Sequence, residues 1–273
     1  MVACYHFCMA ENVTADEVCP KCEGRGWIVS HDGSAGAAAR CDCKRSDRSE
    51  RLLDQAHIPP RYLGCSFRTF NVNAESAASR DQLLRAKTVS QRYVDTFLTS
   101  NGSFRESGML FIGPPGTGKT HLAVAVLKEL VARFRVTGLF VDFTSLIHEI
   151  QHSFDADSPS SKQKLLDPVV GAEVLVLDEL GAQKPSPWVN EILYLIMNAR
   201  YTRRLPTLFT TNFRLEASAS SDHLDRLPGS RTYSALSSRI SPSLLSRLYE
   251  MARPIEIDVE DFRREVQMQK HRV

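Results

Sequence analysis

Long hydrophobic stretches are missing from this sequence. No apolar run approaches the ~20 residues that cross a bilayer, and the N-terminus lacks the charged-then-apolar order of a secretory signal. A membrane role is excluded on this reading, and the chain is expected to work in the cytoplasm. Net charge is small, +2 over 273 residues, so overall charge says little about partners and only local patches count. No internal repeat is present, which excludes a repeat array. Cysteine is nearly absent beyond residue 45, with six of the seven before it. Under reducing conditions such a cluster is better suited to metal ligation than to disulfides.

Local charge is uneven. From Arg200 to Glu250 there are eight arginines against four carboxylates, and from Arg40 to Phe70 seven basic residues against four acidic ones. Each patch suits a polyanion or a plain solvated face.

The texture divides the chain into a cysteine-rich module (1–45), a linker and lead-in segment (46–75) and a large domain (76–273). The lead-in holds a helical SDRSERLLDQAHI that Pro59-Pro60 breaks. Beyond it, helix-like and strand-like spans alternate. The pattern predicts helices over 76–99, 119–134, 144–154, 187–203, 242–250 and 259–270, with strands over 107–112, 138–143, 173–178, 206–211 and 254–258. DADSPSSKQ reads as a polar loop, and 212–233 as irregular. Strands separated by helices predict an α/β fold, a parallel sheet covered on both faces.

GPPGTGKT, residues 113–120, sits between a strand, MLFI, and an amphipathic helix. Glycines at 113, 116 and 118 allow a tight turn whose N–H groups face a phosphate, and the following helix N-terminus adds positive charge. The cradle comprises Gly113, Pro114, Pro115, Gly116, Thr117, Gly118, Lys119 and Thr120. Lys119 would neutralise the outer phosphates and Thr120 would ligate Mg²⁺. In EVLVLDEL, a buried strand delivers Asp178 at its C-terminal end, where it would hold the metal's water shell. Glu179 follows and can polarise a water for attack on the γ-phosphate. Asn212, after the strand PTLFTT, could hydrogen-bond that water or the γ-phosphate, or form a turn.

Together, GPPGTGKTHLAVA, VLVLDELG, LFTTNF and SPSLLSRLYE resemble an AAA+ ATPase, more narrowly the DnaC and DnaI helicase loaders and their relative IstB, a transposition helper. The resemblance covers about 50–265 and includes the lead-in QAHIPPRYLGCSFRTF. It implies a five-stranded sheet of order 5-1-4-3-2, a small helical lid, ATP-dependent self-assembly, contact with single-stranded DNA and delivery of a DnaB-type ring helicase. It also implies that the SRL arginine, here Arg247, reaches a neighbouring subunit's ATP site. Arg239 is a second candidate, and Arg263 could sense nucleotide from the lid.

The head contains CPKCEGRGW and then CDC, so that Cys19, Cys22, Cys41 and Cys43 form two close pairs. Tetrahedral Zn²⁺ takes four thiolates, and two knuckles supply them. A redox CxxC is the rival, without the βαβ setting such a motif needs. Met9 could begin the polypeptide, so Cys4, His6 and Cys8 stand outside the set. Arg25 and Trp27 beside the knuckle could grip a partner, or Trp27 could roof the small core. A zinc module ahead of an ATPase suits a loader better than an IstB-like regulator that wraps duplex DNA and recruits a transposase. A non-hydrolysing adaptor is a third reading, opposed by the intact Glu179.

Overall fold

The structure, a computed structural model, describes residues 21–23, 25, 27–29, 38–104, 108–153, 160–215 and 235–263. It divides into two compact units, Met1–Arg48 and Ser49–Val273.

In the first unit, β1 (Trp27–Val29) pairs antiparallel with β2 (Ala38–Arg40), Trp27 opposite Arg40. Cys22 and Cys41 flank this hairpin and are buried, 3% and 0% exposed. Arg25 is exposed and pairs with Glu23. Cys19 lies outside the described residues, as do the side chains of Trp27 and Cys43.

Helix α1 (Asp42–Asp54) leads into the second unit, followed by a single 3-10 turn at Pro60–Tyr62. Then come α2 (Ala77–Asp95), β3 (Gly108–Ile112), α3 (Lys119–Phe134), β4 (Gly138–Asp142) and α4 (Phe143–Ser153). The chain continues through α5 (Ser160–Gly171), β5 (Val174–Asp178), α6 (Pro187–Thr202), β6 (Thr207–Thr211), α7 (Pro242–Met251) and β7 (Arg253–Glu256). The strands form one parallel sheet in the order β4-β5-β6-β3-β7, the expected order read from the other edge.

Period-two alternation sends neighbouring strand residues to opposite faces. Met109, Phe111, Val174, Val176 and Leu208 join a core with α2 and α3. Leu110, Ile112, Leu175, Leu177 and Phe209 join a second core with α4, α6 and α7. Three central strands are therefore buried at every residue, β3, β5 and β6, as a sheet covered on both sides requires.

Two features differ from the expectation. The loop DADSPSSKQ ends early, because α5 starts at Ser160 and runs through Pro168. Its apolar residues Leu165, Leu166, Val169 and Val170 pack on the second core, so tertiary burial outweighs the helix-breaking proline. The lead-in is not a spacer: Ile58, Cys65, Phe67 and Phe70 are buried in the first core. Its backbone also closes one sheet edge, with the Phe140 N–H donating to the Ala56 carbonyl at 2.8 Å, which blunts an edge otherwise open to pairing.

Arg200 is fully buried on α6 and ties three segments together. It donates to the Val169, Ala172 and Pro206 carbonyls and to the Thr207 hydroxyl at 2.7–3.0 Å. Burial pushes its guanidinium down to about 9, still cationic at neutral pH. Among the described residues no helix is long and apolar enough to cross a membrane. Of the terminal helix expected over 259–270, Phe262 and Arg263 are helical and 264–270 lie outside the described residues.

Candidate functional site

The phosphate loop turns out of β3 and into α3 with Gly116 and Gly118 at φ 83° and 91°, conformations that favour glycine. A Cβ at Gly118 would stand 2.7 Å from Phe70 Cε2, and one at Gly116 would strike the Asp261 carboxylate. The loop is a cradle that only glycine fits, at the N-terminus of a 16-residue buried helix.

It opens on a cleft of about 350 Å³. Its floor is the loop with Glu179, Thr210 and Asn212, and Tyr62, Phe70, Phe262 and Arg263 complete the lining. Lys119 is 6% exposed, and its Nζ donates to the Pro114 carbonyl at 2.6 Å. A buried ammonium resting on a loop carbonyl is a cation placed for anionic oxygens.

Asp178 is the last residue of β5 and 3% exposed. The Thr120 hydroxyl donates to Asp178 Oδ1 at 3.0 Å, and the Thr210 hydroxyl donates to the same oxygen at 2.6 Å. Burial raises the Asp178 pKa while these two hydroxyls pull it down. A hydroxyl and a carboxylate in contact at the end of a phosphate loop are hard oxygen donors, the set that suits Mg²⁺ beside a nucleotide. Glu179 is exposed in the left-handed region at φ 60°, a conformation costing on the order of 1 kcal/mol.

Of the sequence-predicted residues, the structure brings Lys119, Thr120, Asp178, Glu179, Asn212 and Arg263 to this cleft or its floor. Arg247 is elsewhere, on α7. Its guanidinium lies over the Tyr194 ring at 4.6 Å and near the Tyr201 ring at 5.9 Å. Arg239 stacks on Phe213 at 4.8 Å. Neither arginine lines its own chain's cleft.

Sequence reasoning missed Thr210, Tyr62 and Phe70, and also His121. His121 Nε2 donates to the Ser66 carbonyl at 2.9 Å and its ring meets Phe70 edge-on at 5.3 Å, which ties the lead-in to the first turn of α3. Burial pushes the His121 pKa down. The available signal was the histidine directly after GKT and the threonine pair, Thr210 and Thr211, that ends β6.

Lys119 yields a pH prediction. Burial pulls its pKa down to about 8, with Asp178 opposing. Above that pH the loop without nucleotide loses the cation that bound phosphates require, so ATP binding takes up a proton. Affinity should therefore weaken as pH climbs above about 8, by up to about tenfold per unit. Calorimetry in buffers of different ionisation enthalpy measures the uptake, and an affinity flat to about pH 9.5 would contradict it.

Residues 65–227 match the family of IstB-like ATP binding proteins. The replicative helicase loader DnaC of Escherichia coli (strain K12) is 29% identical over 184 residues, 67% of this chain and 70% of that protein. The crystal structure of the DnaC helicase loader aligns with a TM-score of 0.56 at 31% identity, covering 73% of this chain and 99% of that one. The DnaI crystal structure aligns with a TM-score of 0.54 at 25% identity, covering 73% and 94%. A family match over more than half of the chain, joined to this phosphate loop and sheet order, means that the chain belongs to the IstB-like ATP-binding protein family and is a DnaC-like AAA+ ATPase.

Proposed function

We propose that this ATPase loads a replicative ring helicase onto single-stranded DNA and assembles with copies of itself when ATP is bound. The observation that carries the reading is the coincidence of an intact hydrolytic floor, Thr120, Asp178 and Glu179, with a body that aligns over 99% of the DnaC loader chain at 31% identity. Lys119 and the loop amides hold the phosphates. Mg²⁺, held by Thr120 and through water by Asp178, would neutralise charge on the phosphate oxygens. Glu179 takes the proton of the attacking water, and Asn212 orients that water. Arg263, which lines the cleft, senses nucleotide. Arg247, remote from its own cleft, serves the site of a neighbouring copy.

The zinc head makes the helicase contact in this reading. Supporting it, the hairpin sets Cys22 and Cys41 at one end, both buried, as ligands of one tetrahedral site with Cys19 and Cys43 would be. Protein purified under reducing, chelator-free conditions should carry one equivalent of zinc per chain, and chelation should unfold the head while the ATPase unit stays folded. Zinc-free protein with an ordered head would overturn this part.

The alternative is the transposition role that the resemblance to IstB implies. Gel filtration of the chain with the replicative helicase of the same cell separates the two. A complex that forms with ATP supports loading. Separate elution at every nucleotide state, with ATP-dependent binding to duplex DNA, supports the transposition role.

A further inference from the structure

We infer that Thr210 is a positioning residue for ATP hydrolysis, its one hydroxyl setting both the Asp178 carboxylate and the backbone of Glu179. This rests on the assignment of Asp178 to the metal and Glu179 to the attacking water.

The β5–β6 ladder is regular through Leu177 opposite Phe209. One step further it gives way. The Glu179 N–H donates to the Thr210 hydroxyl at 3.0 Å, while the next N–H, of Leu180, takes the Thr210 carbonyl at 2.8 Å. A side-chain oxygen therefore serves as the acceptor for Glu179 where the strands part. The same hydroxyl has one proton to give, and it gives it to Asp178 Oδ1 at 2.6 Å. Donation to the carboxylate leaves the oxygen's lone pairs for the Glu179 N–H, so the two bonds fit one hydroxyl orientation.

Glu179 needs such an anchor. Its left-handed φ of 60° is unfavourable for a residue with a Cβ and persists only where neighbours hold it. The turn is held again on the other side of Thr210, where the Thr211 hydroxyl donates to the Leu180 carbonyl at 2.8 Å. Thr210 is 1% exposed and Thr211 is fully buried, so water does not replace either contact. Thr210 is also two residues before Asn212, the residue proposed to orient the water, which follows the end of β6 and lines the same cleft. The proposed metal carboxylate and base are thus linked through one hydroxyl, two residues ahead of the water-orienting amide.

Valine keeps the shape of threonine and its β-branch but removes the hydroxyl. Serine keeps the hydroxyl and removes a buried methyl. The two substitutions separate positioning from packing. Thr210→Val should bind a fluorescent ATP analogue with Mg²⁺ close to the wild-type affinity and lose roughly 10- to 100-fold in kcat, the rate equivalent of a charge-assisted hydrogen bond. Thr210→Ser should recover most of that kcat although its Tm falls below wild type. A Thr210→Val protein with wild-type kcat, or a folded Thr210→Ser protein as slow as Thr210→Val, would overturn the inference. Glu179→Gln run in parallel keeps the two levels apart. Should it hydrolyse ATP at the wild-type rate, the underlying assignment of the base fails. Should it stall while Thr210→Val does not, the Thr210 inference alone falls.

Discussion

Arg247→Ala is expected to leave ATP affinity near wild type and to cut turnover by about 10³- to 10⁵-fold, the range an arginine finger contributes in NTPases. Affinity is spared because Lys119 and the loop amides of the same chain hold the phosphates. Turnover suffers because the guanidinium, stacked on Tyr194 at 4.6 Å and absent from its own cleft, is proposed to act on the cleft of the next copy. Its position also predicts complementation. Mixed with Lys119→Ala, which cannot bind ATP but carries an intact Arg247, the Arg247→Ala protein should regain part of its activity. The mixture should also recover single-stranded DNA binding that weakens as salt rises, since Lys and Arg on phosphates release counterions. ATPase rates measured across mixing ratios, above and below the assembly concentration, check this. An additive response at every ratio would place Arg247 in cis or outside the mechanism.

Lys119→Ala and Glu179→Gln should fail in opposite ways. Lys119 is a buried cation whose Nζ rests on the Pro114 carbonyl, and removing it leaves the outer phosphates without their counter-charge. Binding should be lost. Glu179 sits at the cleft floor outside the phosphate cradle, so its amide variant should bind ATP normally while kcat falls by at least about 10²-fold, the scale of general-base catalysis. Nucleotide binding by fluorescence together with steady-state turnover separates the pair. Unchanged rates in both variants would remove the site from this cleft.

Much of this site was legible in the sequence because its pieces are local. A glycine loop between strand and helix and two acids after a buried strand are each set by a few adjacent residues, and the structure brings both to one place. The sheet order followed from the resemblance rather than from periodicity. What stayed hidden depends on contacts between distant segments. The lead-in has no apolar periodicity, yet Phe67 and Phe70 are buried because α3 offers them a surface and Lys128 binds the Cys65 carbonyl at 3.1 Å. Helix α5 was obscured by Pro168, which is permitted because the helix is short and packed. Thr210 read as ordinary strand composition, since its role depends on where β5 and β6 part. Arg200 read as one more basic residue in a charged patch, while the structure buries it among carbonyls.

The most direct test of the central claim uses a closed single-stranded DNA circle, onto which a ring helicase cannot thread from an end. The replicative helicase retained on the circle is measured with and without this chain, in the presence of ATP, with Lys119→Ala as the control. Helicase should be retained only when the wild-type chain and ATP are both present, and Lys119→Ala should leave the circle bare. Equal retention without the chain, or the same retention with Lys119→Ala, would contradict an ATP-dependent loader.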